Sequence, residues 1–391
     1  MRRSSCNGPE RSVGSRQHKA GSSQDMAQSS REKILVVQTS FLGDTVLTTP
    51  LLFELKRHFP LAELAVLCTP QAKGLLEDNS DIDEIIPYEK RKAGKKWVGL
   101  CRKAKELRSR GFTMAISPHK SFTSGLLLFL ARIPYRIGFR QSAGWFFYHK
   151  RVNRDSTRHD VERNLSLLEA LGIDPPYHNP RLRVEAGART REAVKHLFSS
   201  LGIKEDSITF GINPGSVWPT KRWTAEGYAE LISHLRRKYR CQILLFGGRE
   251  DYRVLDTIQQ LSGNAGTSLA GRISLRELPS ALDWCDVFIT NDSGPMHVAV
   301  ARGIPVVALF CATTPSLGFY PYSAKAVIVE KALPCRPCTS HGGLRCPLGT
   351  EACMRLIRAE DVLLGVERLL NGAGPEHSLD QDLHLPQRMI L

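Results

Sequence analysis

The sequence predicts an α/β protein built as two Rossmann-like units facing each other across a cleft. Short apolar runs alternate with helical patterns in both halves of the chain. An aperiodic stretch with three prolines, residues 174–187, separates the halves. Loops carrying glycine and charge follow the C-terminal ends of the predicted strands, where open parallel sheets bind their ligands.

In the first half, residues 33–38 form a strand, the loop 39–44 follows, and a helix runs over 45–58. Residues 63–68 and 114–117 are further strands, with an apolar helix at 124–131. Residues 161–171 (VERNLSLLEAL) have helical spacing and stop at Gly172. The second half repeats the design. Strands are expected at 208–212, 242–246, 287–290 and 306–310, and helices from Thr224, over 295–302 and over 359–370. The boundaries are therefore a disordered extension at 1–31, a first unit at 32–173, the linker at 174–187, a second unit at 188–371 and a loose tail at 372–391.

With 391 residues the chain can bury two sizeable cores. The formal net charge of +15 points to a polyanionic partner: nucleic acid, an acidic membrane surface or a phosphorylated substrate. Six Arg or Lys against two acids in residues 1–31 supply part of it. The most apolar run, 126–133, is broken by Arg132 and is too short to span a bilayer. The first 31 residues lack the apolar core of a secretory signal, and Met26 offers an alternative start. Ten cysteines without such a signal suggest reduced thiols in the cytosol.

Four loops carry the chemistry. The segment 289–297 (ITNDSGPMH) joins a strand to a helix. Asp292 and Ser293 suit its N-cap, Pro295 its first turn, and Gly294 lets backbone approach a ligand. The free N–H groups there suit a diphosphate, and His297 can point at the same spot. In 213–223 (NPGSVWPTKRW), the turn at Gly215-Ser216 offers amides to an anion, and Lys221 and Arg222 offer cations; a surface loop pinned by two tryptophans is the alternative. Asp44, in Phe41-Leu42-Gly43-Asp44-Thr45, is either a helix-capping acid or a carboxylate that accepts a proton from a hydroxyl in the cleft. After Gly247-Gly248, Glu250 or Asp251 could accept hydrogen bonds from a ribose. Neither a dinucleotide fingerprint nor a P-loop is present.

Together these motifs resemble the ADP-heptose:lipopolysaccharide heptosyltransferases, glycosyltransferases of the GT-B fold, over about residues 33–370. The likeness is greatest to the second-heptose branch, judging from 213–223, 290–297 and a Cys-x-Pro-Cys segment. The resemblance implies that Asp44 is the catalytic base and that Lys221 contacts the donor diphosphate. It implies that Ser216, Asp292, Ser293, Gly294 and His297 bind diphosphate and heptose, that Glu250 or Asp251 lies on the ribose side, and that Ile273 lies near adenine. The reaction it implies is an inverting single displacement on ADP-heptose. The leaving charge is met by Lys221, His297 and helix amides, and no metal is required for catalysis. The only Asp-x-Asp triplets, 81–83 and 380–382, are not at a donor-side strand end.

The implied acceptor is the phosphorylated inner core of lipid A, so the enzyme is expected at the cytoplasmic face of the inner membrane. Lys120, Arg136 and Arg140 are candidate acceptor contacts, and the basic run Lys90, Arg91, Lys92, Lys95 and Lys96 is either a further one or a solvated face. Cys335, Cys338, Cys346 and Cys353 fall within nineteen residues and read as a structural zinc site, free thiols, or a disulfide or cluster, with His341 as a substitute ligand. They form no finger with a recognition helix, which argues against a nucleic-acid partner. The other readings are a relative acting at another core position and a non-catalytic sugar-nucleotide-binding homologue.

Overall fold

A computed structural model describes residues 32–89, 96–372 and 385–390. The extension through Arg31, the basic residues Lys90, Arg91, Lys92 and Lys95, and the triplet 380–382 lie outside the described residues. The chain forms two wholly parallel sheets. The first comprises β1 (Lys33–Gln38), β2 (Glu63–Cys68), β3 (Glu84–Pro87), β4 (Met114–Ser117), β5 (Tyr135–Phe139) and β6 (Lys150–Val152), in the order β3-β2-β1-β4-β5-β6. The second comprises β7 (Ile208–Asn213), β8 (Cys241–Leu245), β9 (Thr267–Ser268), β10 (Val287–Asn291), β11 (Val306–Phe310), β12 (Ala326–Glu330) and β13 (Gln387–Ile390). Its order is β13-β12-β11-β10-β7-β8-β9.

The central strands are apolar runs rather than alternating ones, because helices cover both faces of each sheet. All five residues of β10, β11 and β12 are buried. Each sheet reverses its strand order once, between β1 and β4 and between β7 and β10. A crevice opens beyond the strand ends at such a reversal. The loops after β1 and β4, and those after β7 and β10, are therefore the ones placed to bind.

Three sequence expectations need correction. The helix expected over 45–58 is two helices, Leu42–Leu47 and Thr49–His58. Pro50, in the first turn of the second, lacks the N–H a continuous helix needs. Residues 161–171 split into an α-helix, Asp160–Leu165, and a 3-10 stretch, Ser166–Leu171, which ends at Gly172 with φ +73°. The tail expected to be loose instead supplies β13, which pairs with β12. Met389 is buried there, and Arg388 reaches Glu330 (Nε–Oε1 3.2 Å).

Residues 174–187 contain no helix or strand and hydrogen-bond back to the first unit. Arg183 N donates to Thr49 Oγ1 (2.9 Å) and His178 N to Glu54 Oε1 (2.9 Å). The two units also touch directly. The Leu42–Leu47 helix lies against the Gly294–Ala301 helix. Glycine makes this approach possible: a Cβ on Gly43 would sit 3.0 Å from His297 Cδ2, and one on Gly294 3.1 Å from Leu42 Cβ.

Candidate active site

On the first unit's side, Asp44 is the third residue of the Leu42–Leu47 helix. Its Oδ2 accepts from Phe41 N (3.1 Å), so it caps the helix and still lines the cleft. Burial, reinforced by the charge of Asp160, pushes its carboxyl up to about 6 against the pull of Ser40, Phe41 N and Arg154. Asp160 is buried, paired with Arg154, and 3.6 Å from Arg163. A carboxylate poised near neutrality can take a proton from an incoming hydroxyl. Lys120, in the loop after β4, feels the same charges; burial and then Arg154 hold its ammonium below the usual value. Thr39 and His119 join the two loops through Oγ1 and Nδ1 (3.2 Å).

On the second unit's side, two buried asparagines tie the loops after β7 and β10 together. Asn213 Nδ2 reaches Gly215 O (3.2 Å), Thr290 Oγ1 (3.2 Å) and Ser293 Oγ (3.3 Å). Asn291 Nδ2 donates to Pro214 O (2.8 Å), and its Oδ1 accepts from Trp223 N (3.0 Å) and Tyr228 Oη (3.0 Å). Arg222, read from the sequence as a phosphate cation, donates through Nε to Ser216 O (2.9 Å) and so braces the loop. Lys221 Nζ lies 2.7 Å from Asp292 Oδ2, which also accepts from Thr313 Oγ1 (2.7 Å).

Asp292 therefore fixes the lysine instead of capping the helix. Ser293 is the N-cap but makes no side-chain capping bond; Pro295 has no N–H and Met296 N turns back to Ser293 O (3.2 Å), so in the first turn of the Gly294–Ala301 helix it is Gly294 that offers an N–H at the cleft lining. His297 is buried, with Nδ1 lacking a hydrogen-bond partner. Burial pulls its pKa down to about 4, with Lys221 lowering it and Asp292 opposing. Its imidazole is thus neutral at pH 7 and can donate a hydrogen bond, but it brings no cation.

These groups meet in one open cleft between the two units. Asp44, Ser216, Lys221, Asp292, Ser293, Gly294 and His297 all line it. Glu250, Asp251 and Ile273 do not. Asp251 is buried and accepts from Gly248 N (3.0 Å), with burial raising its carboxyl, whereas Glu250 is exposed and folds over Gly248. Ile273 is half-buried against the core.

None of the three acceptor candidates, Lys120, Arg136 and Arg140, lines the cleft. Arg136 donates to Phe147 O (Nε, 2.7 Å) and Ile133 O, and Arg140 Nε to Arg151 O (3.4 Å).

The cysteine-rich segment lines the cleft through residues the sequence reading did not assign to it, Ser340 and His341. Gly343 N donates to Thr220 Oγ1 (2.8 Å), which lays residues 339–343 against Lys221. His341 faces Phe41 across the cleft with ring centroids 6.2 Å apart. Burial and the nearby Lys221 and Lys120 hold its imidazole below its ordinary value. Arg336 anchors the segment from within, donating to the carbonyls of Phe310 (2.7 Å) and Thr313 (2.6 Å).

Cys335, Cys338, Cys346 and Cys353 are free thiols; no three of their sulfurs lie within 4.8 Å of one another, yet Cys353 feels the charge of each of the other three. Cys353 is buried in the second unit's core, and Cys338 Sγ donates to Cys335 O (3.3 Å). Among the described residues, only Glu230, His234 and Glu360 bring three ligand atoms within 4.8 Å of one another, and they do not line the cleft.

Residues 100–345 match the sequence profile of glycosyltransferase family 9 (heptosyltransferase). The chain belongs to this family. Among its relatives is lipopolysaccharide heptosyltransferase 2 of Salmonella typhimurium, 28% identical over 312 residues, which cover 76% of this chain and 88% of that one. Of solved structures, the family 9 glycosyltransferase of Veillonella parvula superposes with a TM-score of 0.78 at 27% identity, covering 87% of this chain and 98% of that one. E. coli ADP-heptose LPS heptosyltransferase II gives 0.70 at 25% identity, covering 87% and 99%. Relatives named as type 3 heptosyltransferases also match, so membership alone does not fix the acceptor position. The family 9 profile begins at residue 100, so the assignment of Asp44 rests on the cleft itself and not on the profile.

Proposed function

We propose that the chain transfers L-glycero-D-manno-heptose from ADP-heptose to the heptose-bearing inner core of lipopolysaccharide, with inversion at the anomeric carbon. The observation that carries this reading is one cleft that sets a carboxyl of raised pKa opposite an anchored ammonium and the Gly294 N–H. The donor diphosphate lies at Ser293, Gly294 and Lys221, where N–H groups and an ammonium meet its charge. The acceptor hydroxyl gives its proton to Asp44 as its oxygen attacks the anomeric carbon. The bond from that carbon to the diphosphate oxygen breaks, and ADP leaves with the electron pair. Lys221, the Gly294 N–H and a hydrogen bond from neutral His297 stabilise that departing charge.

The acceptor is a lipid, so the enzyme works as a peripheral protein at the cytoplasmic face of the inner membrane. No helix among the described residues is long and apolar enough to cross a membrane. Lys120, which shares the field of Asp44, is the acceptor-side cation this reading favours. The test is ADP release from ADP-heptose, measured with no acceptor, with heptose-free core and with core carrying one heptose. Release confined to the third mixture supports the second-heptose assignment. Release confined to the second moves the enzyme to the first position, and release with neither acceptor removes the substrate assignment.

A further inference from the structure

Residues 118–154 carry seven Lys or Arg and no Asp or Glu. The same stretch bears a cluster of exposed aromatic rings. Phe122, Phe129, Trp145 and Phe146 are 43%, 50%, 47% and 53% exposed, and Leu130 joins them at 36%. They form one patch. Phe122 lies 6.1 Å from Phe146, Trp145 5.8 Å from Phe146, and Phe147 links Phe146 (4.4 Å) to Phe129 (5.3 Å), all between ring centroids. Single exposed apolar side chains are ordinary, but a contiguous aromatic surface marks an interaction site. Cations frame it: the Arg151 guanidinium sits 4.9 Å over Trp145 and that of Arg136 5.7 Å over Phe129.

We infer that this face docks on an anionic lipid bilayer, an inference that rests on the acceptor being lipid-anchored. Rings that bury in the acyl boundary, flanked by guanidinium and ammonium groups that stay at the headgroups, are what such a surface selects. A second copy of the chain is a poor occupant, since pairing two such faces would set Arg136 and Arg151 against the same cations of the other copy. The patch also lies beside Lys120, whose charge reaches the cleft-lining His341. The helix bearing Phe122 begins two residues after Lys120, and Ala143 N donates to Lys120 O (3.0 Å) just before the Trp145–Phe147 turn. A protein seated this way presents Asp44 toward a saccharide rising from the same membrane.

The test is vesicle flotation of the full chain and of W145S/F146S, with phosphatidylcholine vesicles containing or lacking about 30 mol% phosphatidylglycerol. The wild type should float with the anionic vesicles only, and the variant should bind them at least about tenfold more weakly. Turnover of a deacylated, water-soluble acceptor should stay within about twofold in the variant, while KM for the vesicle-borne acceptor rises about tenfold or more. Equal flotation of variant and wild type would overturn the assignment, as would failure of the wild type to float. A wild-type dimer that W145S/F146S disperses would hand the patch to a second copy. Failure of the transferase reading shows separately, as absent turnover of the soluble acceptor in both proteins.

Discussion

The two walls of the cleft use the same scaffold, a parallel sheet with its binding loops at the strand-order reversal, and load it with opposite electrostatics. On the first wall, Asp44 is held against resistance, with burial and Asp160 both working against its ionisation. On the second, Lys221 is held in place by its counter-charge, with Asp292 at 2.7 Å and Thr313 behind it. On the proposed mechanism, the group that changes protonation during turnover is left poised, whereas the one that stays charged is paired. This difference makes separate demands on pH, stability and turnover, and each can be broken on its own.

The largest effect is expected on the poised side. Asp44→Ala should lower kcat by about a thousandfold, the range of a lost general base, with the Kd for ADP-heptose nearly unchanged. In the wild type, kcat/KM should fall about tenfold per pH unit below about 6, as the base becomes protonated. A variant with normal turnover, or an acid limb that survives in it, would take Asp44 out of the reaction.

On the paired side, Lys221→Met should cost about a hundredfold in kcat through lost stabilisation of the leaving diphosphate. It should also cost of order 3 kcal/mol in stability, because Asp292 is left almost buried without its cation. Adding Asp292→Asn should restore most of the stability and none of the turnover. Chemical denaturation alongside kinetics separates the two losses. Restored turnover in the double variant would make the pair structural only.

How far the sequence reaches differs between the walls as well. Asp44, Lys221, Asp292 and His297 could be named from local patterns, because each follows an apolar strand within a short loop. The long central strands were legible for the same reason. The edges were not: β6 is only Lys150–Val152, and β13 is a run of four residues starting 57 positions beyond the end of its partner strand β12. Such strands are specified by what they pair with more than by their own residues. Asn213 and Asn291, which lock the donor loops, gave no signal beyond being polar at strand ends. Asp292 was read as a cap because Lys221, 71 positions earlier, is invisible to local reasoning. That Ser340 and His341 line the cleft was not legible, because the packing of residues 339–343 against Thr220 and Lys221 is purely tertiary.

A smaller effect appears in stability against pH, where the walls oppose each other. His297 is depressed from 6.5 to about 4, so between those values the unfolded chain takes up a proton that the folded one refuses. Its contribution to stability is therefore present above 6.5 and lost as pH falls toward 4, by up to about 3 kcal/mol. Asp44 is raised from 3.8 to about 6, so the folded chain binds its proton first and gains stability over much the same descent. Urea melts between pH 4 and 7 should show the acid-side loss flattened in His297→Gln and steepened in Asp44→Asn. Parallel curves for all three proteins would mean that neither group titrates as its burial implies.

The smallest effect tests whether Glu250 or Asp251 serves a ribose, as the family resemblance implies. Asp251 is buried, caps Gly248 N and packs against the Gly215 turn, whereas Glu250 is exposed at the same loop and free to turn toward a ligand. Glu250→Gln should therefore raise KM for ADP-heptose about three- to tenfold, with kcat and Tm unchanged. Asp251→Ala should instead cost about 1 kcal/mol of stability, as lost caps do, with little change in KM. The reverse pattern, a KM effect confined to Asp251→Ala, would mean that donor binding pulls the buried acid away from Gly248. The second wall would then also rearrange on binding, and the contrast between a poised side and a fixed side would hold only for the empty cleft.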